Sequence, residues 1–145
     1  MGCTVTRDEI VALVTRRLAA MAARDVAALA ATHAENGSVA SPMGGVLEGR
    51  AEIERNYRIW FSAFRDVVME QDDLLIDGDR VVLVARLRGT HSGDFLGLPP
   101  TGRLMEFQVA QVMIVADGLV VEERRIYDFT GLLVQIGVLK AKPTI

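Results

Sequence analysis

The sequence contains few of the residues that would indicate a disulfide framework or a metal centre. It has one cysteine, Cys3, and two histidines among 145 residues. A single cysteine cannot form an internal disulfide, so the chain is compatible with a reducing compartment. Two histidines without paired cysteines or a carboxylate triad do not make a credible metal site. We therefore expect a metal-free domain that is held together by its hydrophobic core.

Neither sign of charge dominates, and long hydrophobic runs are lacking. The net charge is −3, and the basic residues are scattered along the chain, which argues against a nucleic-acid partner. No apolar run approaches the roughly 18 residues of a membrane span, and no signal peptide is recognisable, so we expect a cytoplasmic protein that does not bind membranes. Met1, Gly2, Cys3 and Thr6 match a short acylation pattern, but a frayed N-terminus is the commoner interpretation of so few positions.

The composition is that of a packed globular protein. Hydrophobic residues make up 50% of the chain and charged residues 24%. A length of 145 residues fits one domain, residues 1–145, that can bury a sizeable core.

The first half of the chain shows helical periodicity. Thr6 and Glu9 have the spacing of a capping box before a predicted helix over residues 7–23. Asp25 can cap a second helix over residues 26–33, and we expect His33, near its end, to interact with the helix dipole. Two short strands around a Pro-Met-Gly-Gly turn follow, over 38–41 and 46–48, and then an amphipathic helix over 50–64.

The second half has the periodicity of extended strands. Four strands are predicted over 67–76, 80–90, 104–115 and 119–127, with tight turns at Asp77-Gly78-Asp79 and Asp117-Gly118. A short closing helix over 130–136 is predicted to end at Gly137. Helices first and a strand meander afterwards predict an α+β domain, in which the N-terminal helices pack on one face of a strongly curved antiparallel sheet. The open mouth of such a cone is where a small ligand would bind.

Several segments carry a family resemblance over nearly the whole chain. They are Gly49-Arg50, Phe64-Arg65-Asp66, Gly89-Thr90-His91-Ser92-Gly93-Asp94-Phe95, Gly97-Leu98-Pro99-Pro100-Thr101-Gly102, Asp117-Gly118, Asp128, Gly131-Leu132-Leu133, Gln135 and Gly137. In these segments the sequence resembles the SnoaL-like polyketide cyclases of the NTF2-like superfamily. The resemblance implies an NTF2-like (cystatin-like) cone. It also implies ring closure by intramolecular aldol condensation, without metal or organic cofactor, with Asp128 as the acid/base. The family commonly has Trp four residues before this aspartate, where the chain has Arg124.

The predicted register of the last hairpin gives Asp128 a possible environment. If Asp117-Gly118 is a two-residue turn, Phe107 lies opposite Asp128 and Gln111 opposite Arg124 on one face. An apolar neighbour would raise the pKa of Asp128, as a general acid/base requires. Two alternatives are an ion pair with Arg124, which would lower that pKa, and a capping role at the following helix. The opposite sheet face, with Arg125 and Tyr127, stays open as the concave one.

Further candidates complete a predicted site. His91 is expected to be a proton shuttle or a donor to a carbonyl, with anchoring of its loop as the alternative. Gln111 and Arg124 could hold a developing enolate oxygen. The expected apolar wall consists of Tyr57, Trp60, Met105 and Phe107, with Met43.

These observations predict a cofactor-independent enzyme that acts on a carbonyl-rich, hydrophobic small molecule. The alternatives are a non-catalytic binding or structural protein on the same fold and, less favoured, an epoxide hydrolase, which needs an arginine between two aspartates. Val82, Val84, Val112 and Ile114 would form an exposed apolar patch on the convex sheet face. We therefore expect a homodimer, with a tetramer as a second form.

Overall fold

The computed structural model describes residues 4–140. Met1, Gly2 and Cys3, which carry most of the acylation pattern, lie outside these residues. The elements in chain order are α1 (Arg7–Ala23), α2 (Val26–Ala30), β1 (His33–Ser41), β2 (Gly45–Glu48), α3 (Arg50–Ala63), β3 (Val68–Asp77), β4 (Arg80–Thr90), β5 (Leu104–Ala116), β6 (Leu119–Ile126) and α4 (Phe129–Gln135). None of the helices within this range is long and apolar enough to cross a membrane.

The N-terminal helices follow the predicted capping, except at the end of α2. The Thr6 hydroxyl and the Glu9 side chain form the reciprocal bonds of a capping box, and the Asp25 carboxylate accepts from the Ala28 N–H at 3.0 Å. The Thr32 hydroxyl donates to the Leu29 carbonyl at 2.6 Å, and α2 is already complete at Ala30. The prediction for His33 was wrong, because it is the first residue of β1 and is fully buried.

The six strands form one curved sheet in the order β2-β1-β6-β5-β4-β3, and the helices pack on one of its faces. The predicted hairpins β1–β2, β3–β4 and β5–β6 are confirmed. One pairing differs from the expected all-antiparallel sheet, since β1 and β6 are parallel. β2 pairs with one edge of β1. β6 pairs with the other edge and runs in the same direction as β1.

A register shift in β6 changes which side chains face the helices. Ala116 pairs with Leu119 and Val115 with Val120, as a two-residue turn requires, but Ile114 then pairs with Glu122. Val121 is therefore an extra residue on β6, and every side chain after such a bulge points to the face opposite the one predicted. The predicted register beyond the turn was wrong.

The concave side of the sheet is filled by two clusters of buried side chains. One lies beneath α3 and includes Ile53, Phe64 and Phe95. The other lies beneath α1 and includes Leu13 and Leu83. A small cavity is lined by residues of both clusters.

Candidate functional site

The interior cavity has a volume of about 60 Å³ and a mainly apolar lining. Its lining residues come from α1, α2, α3 and β3 to β6, with Tyr127 just after β6. The polar ones are Arg17, Tyr57, Gln111, Arg125 and Tyr127, and the apolar ones include Trp60, Phe61, Leu83, Leu87, Phe107 and Val109. Apolar walls with a few converging polar groups are typical of a small-molecule site.

Two arginines share one buried carboxylate beside this cavity. Glu123 is 1% exposed, and its Oε1 lies 3.3 Å from Arg17 Nη2 while its Oε2 lies 2.7 Å from Arg125 Nε. Burial alone would raise the pKa of Glu123, but the guanidinium groups of Arg125 and Arg17 outweigh it and hold the pKa at about 2. Glu123 is therefore ionised at neutral pH and cannot serve as a general acid there.

His33 and Tyr57 extend this cluster on the side of α1. The His33 Nε2 atom lies 2.7 Å from the Tyr57 hydroxyl and 3.1 Å from Arg17 Nη1. Burial, followed by the charge of Arg17, lowers the pKa of His33 to about 3, so the ring is neutral at pH 7. Because Arg17 donates to Nε2, the single proton of the neutral imidazole is on Nδ1.

Arg125 is fixed in place but keeps one donor unused. Its Nη1 donates to Asn56 Oδ1 at 2.9 Å, and its guanidinium lies 4.8 Å from the centre of the Tyr57 ring. Burial alone would lower the pKa of Arg125, but the Glu123 carboxylate outweighs burial and raises it. Nη2 is buried and has no hydrogen-bond partner among residues 4–140. Arg125 is therefore a charged residue with an unused donor in the wall of a largely apolar cavity.

Gln111 and Tyr127 also present unpaired polar atoms. Gln111 Oε1 and the Tyr127 hydroxyl are buried and make no hydrogen bond of standard geometry. Burial raises the pKa of Tyr127 to about 12, an effect that Arg125 and the nearby Met43 backbone and Ser41 hydroxyl offset only in part. The hydroxyl therefore keeps its proton at neutral pH and can donate it in a hydrogen bond.

A family model described as SnoaL-like polyketide cyclase matches residues 12–136. The chain belongs to the SnoaL-like polyketide cyclase family.

Solved structures agree with this family and with an NTF2-like cone. AclR of Streptomyces galilaeus, described as a hydroxylase, is 26% identical to this SnoaL-like protein with a TM-score of 0.82, covering 95% of this chain and 87% of that chain. IdmH of Streptomyces antibioticus, described as a polyketide cyclase, is 27% identical with a TM-score of 0.73, covering 88% and 98%. A Catenulispora acidiphila protein with a ketosteroid isomerase-like fold is 19% identical with a TM-score of 0.75, covering 88% and 93%. No curated protein matches the chain significantly.

The predicted wall residues of this SnoaL-like protein, together with the predicted binding residue Gln111, divide among the cavity, the core and a separate groove. Tyr57, Trp60, Phe107 and Gln111 line the cavity. Met105 is 1% exposed and packs in the cluster beneath α3 instead, without lining the cavity. Met43 lies on a separate groove of about 280 Å³ beside the β1–β2 turn. Ligand binding by the four cavity residues stays a prediction.

His91 lies outside the cavity wall and holds its own loop. It is fully buried, and Thr101 contacts its Nδ1 through the hydroxyl at 3.0 Å and the backbone N–H at 3.3 Å. Its ring packs between Phe64 and Phe95, at centre distances of 5.7 and 6.4 Å. This geometry matches the loop-anchoring alternative, although Nε2 has no hydrogen-bond partner within the described range 4–140.

Asp128 and Arg124 are both exposed and do not line the cavity. Arg124 pairs with Val112 on the convex side of the sheet. Asp128 caps α4, since its Oδ1 accepts from the Gly131 N–H at 2.8 Å. The predicted pairing that set them opposite Phe107 and Gln111 was wrong, because the extra residue Val121 reverses the side-chain alternation of β6 and Gln111 pairs with Arg125 instead. A catalytic role for Asp128 stays a prediction.

The sequence analysis missed most of the polar cluster. Arg17 could have been found, because it lies three and four residues after Val14 and Leu13 on the buried face of α1. Glu123 and Arg125 could not have been found from the sequence, because the face on which their side chains lie depends on the bulge at Val121. Among residues 4–140, no group of three or more His, Cys, Asp or Glu side chains is placed to hold a metal ion.

Proposed function

We propose that this SnoaL-like protein is a cofactor-independent enzyme that acts on a carbonyl-bearing, hydrophobic small molecule in the interior cavity. The observation that supports the proposal is a set of buried polar atoms that have no hydrogen-bond partner within residues 4–140 and belong to residues lining an apolar cavity: Arg17 Nε, Arg125 Nη2, Gln111 Oε1 and the Tyr127 hydroxyl. Buried polar groups are nearly always paired in folded proteins, so four unpaired groups beside one cavity indicate a place for a ligand.

The chemistry that this arrangement favours is stabilisation of an enolate oxygen. Removal of a proton next to a carbonyl places negative charge on the carbonyl oxygen, and a fixed donor in a dry site stabilises that charge by roughly 3 kcal/mol. Arg125 is such a donor, because Glu123 and Asn56 hold its other nitrogens. The Tyr127 hydroxyl is a second possible donor.

The proton-transfer group is proposed from the family resemblance. Glu123 is unsuitable, because its pKa of about 2 leaves it ionised and bound to two arginines. Asp128 is the proposed acid/base. Its Oδ1 caps α4, so we assign proton transfer to Oδ2. Reaching the cavity from an exposed position requires the start of α4 to move.

The cavity must also widen to hold a ring system. At about 60 Å³ it is smaller than the roughly 150 Å³ cavity known to bind benzene. Leu18, Met21 and Met69 line it and are only partly buried. Methionine side chains repack readily, so we propose that this part of the wall moves when a ligand enters.

A non-catalytic binding protein is the second candidate. It is favoured by the exposed position of Asp128 and by the high pKa of Tyr127, about 12, which makes this lining residue a poor base at neutral pH. Epoxide hydrolysis is less favoured, because Arg125 is held by Glu123 and Asn56 rather than by two aspartates.

Proton exchange on a simple ketone distinguishes these functions. We expect the protein to accelerate exchange of the α-protons of 2-tetralone in D₂O, followed by proton NMR. Gln111→Leu should slow the exchange if the cavity is the site, and Asp128→Asn should slow it if Asp128 is the base. Binding of 2-tetralone without any acceleration would contradict the enzyme proposal and favour the binding protein.

A further inference from the structure

The buried cluster beside the cavity carries more positive than negative charge. Arg17 and Arg125 are 4% and 8% exposed, and the ion pairs that each of them forms lead to the same carboxylate, that of Glu123. His33 is neutral at pH 7, because burial and Arg17 lower its pKa to about 3. Two guanidinium groups and one carboxylate leave a net charge of +1 beside a largely apolar cavity.

The excess charge coincides with unused donors. In the part of the chain that the structure describes, Arg125 Nη2 and Arg17 Nε are both buried without a hydrogen-bond partner, and both residues line the cavity. Water could satisfy the hydrogen bonds of these atoms but could not neutralise the charge. An uncompensated charge is costly in a low-dielectric surrounding, and a bound anion removes that cost.

The shape of the cavity limits what else the anion can carry. Trp60 and Phe107 form an aromatic wall, with ring centres 5.9 Å apart, and Leu83, Leu87 and Val109 add aliphatic surface. Such a wall suits a flat apolar body. The Tyr127 hydroxyl is protonated and can donate to the same ligand, and the Gln111 amide can present either its oxygen or its N–H₂ group.

We propose that the ligand of this cavity is a planar, mostly apolar molecule with one anionic oxygen, a carboxylate or an ionised enol or phenol, bound against Arg125 Nη2. This inference rests on the proposed function, in that it takes the interior cavity to be the ligand site. It adds the charge of the ligand.

Benzoate and benzamide test the proposal, because they share a planar shape and differ in charge. Isothermal titration calorimetry with the full chain at pH 7 should show benzoate binding at least about tenfold more tightly than benzamide, as a charge-assisted hydrogen bond predicts. Equal affinities, or a preference for benzamide, would overturn the anion inference while leaving the cavity as the site. Absence of binding by either compound would count against the cavity itself, and so against both proposals.

Two arginine variants test whether the charge of the buried cluster causes the preference for benzoate. Arg17→Met removes one cation and leaves Arg125 and Glu123 as a neutral pair, so the ratio of benzoate to benzamide affinity should fall towards one. Arg16→Met is the matched control, because Arg16 is the exposed neighbour on α1 and donates to the Gly118 carbonyl, away from the buried cluster. An unchanged ratio in Arg17→Met would contradict the proposal.

A milder variant serves if Arg17→Met does not fold. Tyr127→Phe removes a hydroxyl that makes no hydrogen bond of standard geometry within residues 4–140, and it leaves no buried charge unpaired. It should weaken benzoate binding by roughly threefold or more, the equivalent of one lost hydrogen bond. Benzoate affinity equal to that of the unsubstituted protein would contradict a contact between Tyr127 and the anion.

Discussion

Arg124 and Arg125 are adjacent in the chain but have opposite environments. Arg124 is exposed on the convex face, whereas Arg125 is 8% exposed and binds Glu123 and Asn56 beside the cavity. The desolvation of Arg125 is offset only because the carboxylate and the amide accept from it. At the residue scale, the neighbours of an arginine side chain decide whether it lies in solvent or is a candidate for ligand binding.

Two substitutions of Asp128 can separate its role as the N-cap of α4 from a role in catalysis. Asparagine is as good an N-cap as aspartate, so we expect Asp128→Asn to preserve the free energy of unfolding and Asp128→Ala to lower it by about 1 kcal/mol. Urea denaturation measures both values, with Asp94→Ala as an exposed loop control. Equal losses in the Asn and Ala variants would contradict the capping role. Loss of activity in Asp128→Asn with unchanged stability would assign chemistry to the carboxylate.

At the scale of elements, the loop after β4 is attached to the end of α3. The backbone N–H groups of Ser92 and Gly93 both donate to the Ala63 carbonyl, at 2.9 and 3.1 Å. This attachment brings the loop so close that a Cβ on Gly93 would lie 2.0 Å from the Ser62 carbonyl oxygen. Glycine is required here by the close approach of two backbones.

The Gly93 position gives a steric prediction. We expect Gly93→Ala to lower the free energy of unfolding by roughly 2 kcal/mol or more, because the backbone of the loop must move away from α3. Gly97→Ala is the control, since Gly97 has a φ of 84° but no atom within 4 Å of an added Cβ, and it should cost about 1 kcal/mol. Thermal and urea unfolding compare the two. A smaller loss for Gly93→Ala than for Gly97→Ala would contradict the close contact.

At the scale of the whole molecule, the buried cluster makes stability depend on pH. The pKa of His33 falls from 6.5 to about 3 on folding, and that of Glu123 falls from 4.5 to about 2. Both groups bind a proton more readily when the chain is unfolded. The stability that arises from the lowered pKa values of His33 and Glu123 is therefore complete above pH 6.5. It is lost as the pH falls towards the folded-state values of about 3 and about 2.

The sign of both shifts predicts acid destabilisation in two stages. The free energy of unfolding should fall by about 1.4 kcal/mol per pH unit below pH 6.5 through His33, and about twice as steeply below pH 4.5 once Glu123 contributes. Urea denaturation at a series of pH values measures the slopes. His33→Gln should remove the first stage and keep the second, and an unchanged slope above pH 4.5 in this variant would contradict the assignment.

The convex sheet face predicts self-association. Val82, Val84, Val112 and Ile114 are partly buried there, and Ile126 is 55% exposed beside them. We expect a homodimer through this face, which size-exclusion chromatography with light scattering would detect, and Val112→Glu should give a monomer. Val11→Glu, at a position 40% exposed on α1, is the control and should leave the dimer intact. A monomeric unsubstituted protein at micromolar concentration would contradict the prediction.

The sequence by itself determined the parts of this protein that depend on neighbours along the chain. The capping box at Thr6, the turn at Asp117 and Gly118, and the helix end at Gly137 all follow from local hydrogen bonding and backbone preference. The periodicity of apolar residues placed the helices and strands within about three residues, except that β1 begins at His33, five residues before its predicted start. The placement of Tyr57 and Trp60 at the cavity followed from the stripe on α3.

Only the tertiary structure decided which face of β6 lines the cavity. The register shifts on both sides of this strand, between Ile114 and Val115 on β5 and between His33 and Ser38 on β1. Close packing accompanies the shift, because a Cβ on Gly37 would lie 3.2 Å from the Val120 carbonyl oxygen. A bulge of this kind depends on two neighbouring strands that are distant in sequence, so no local pattern predicts it. It is the reason that Glu123 and Arg125, rather than Arg124 and Asp128, face the helices.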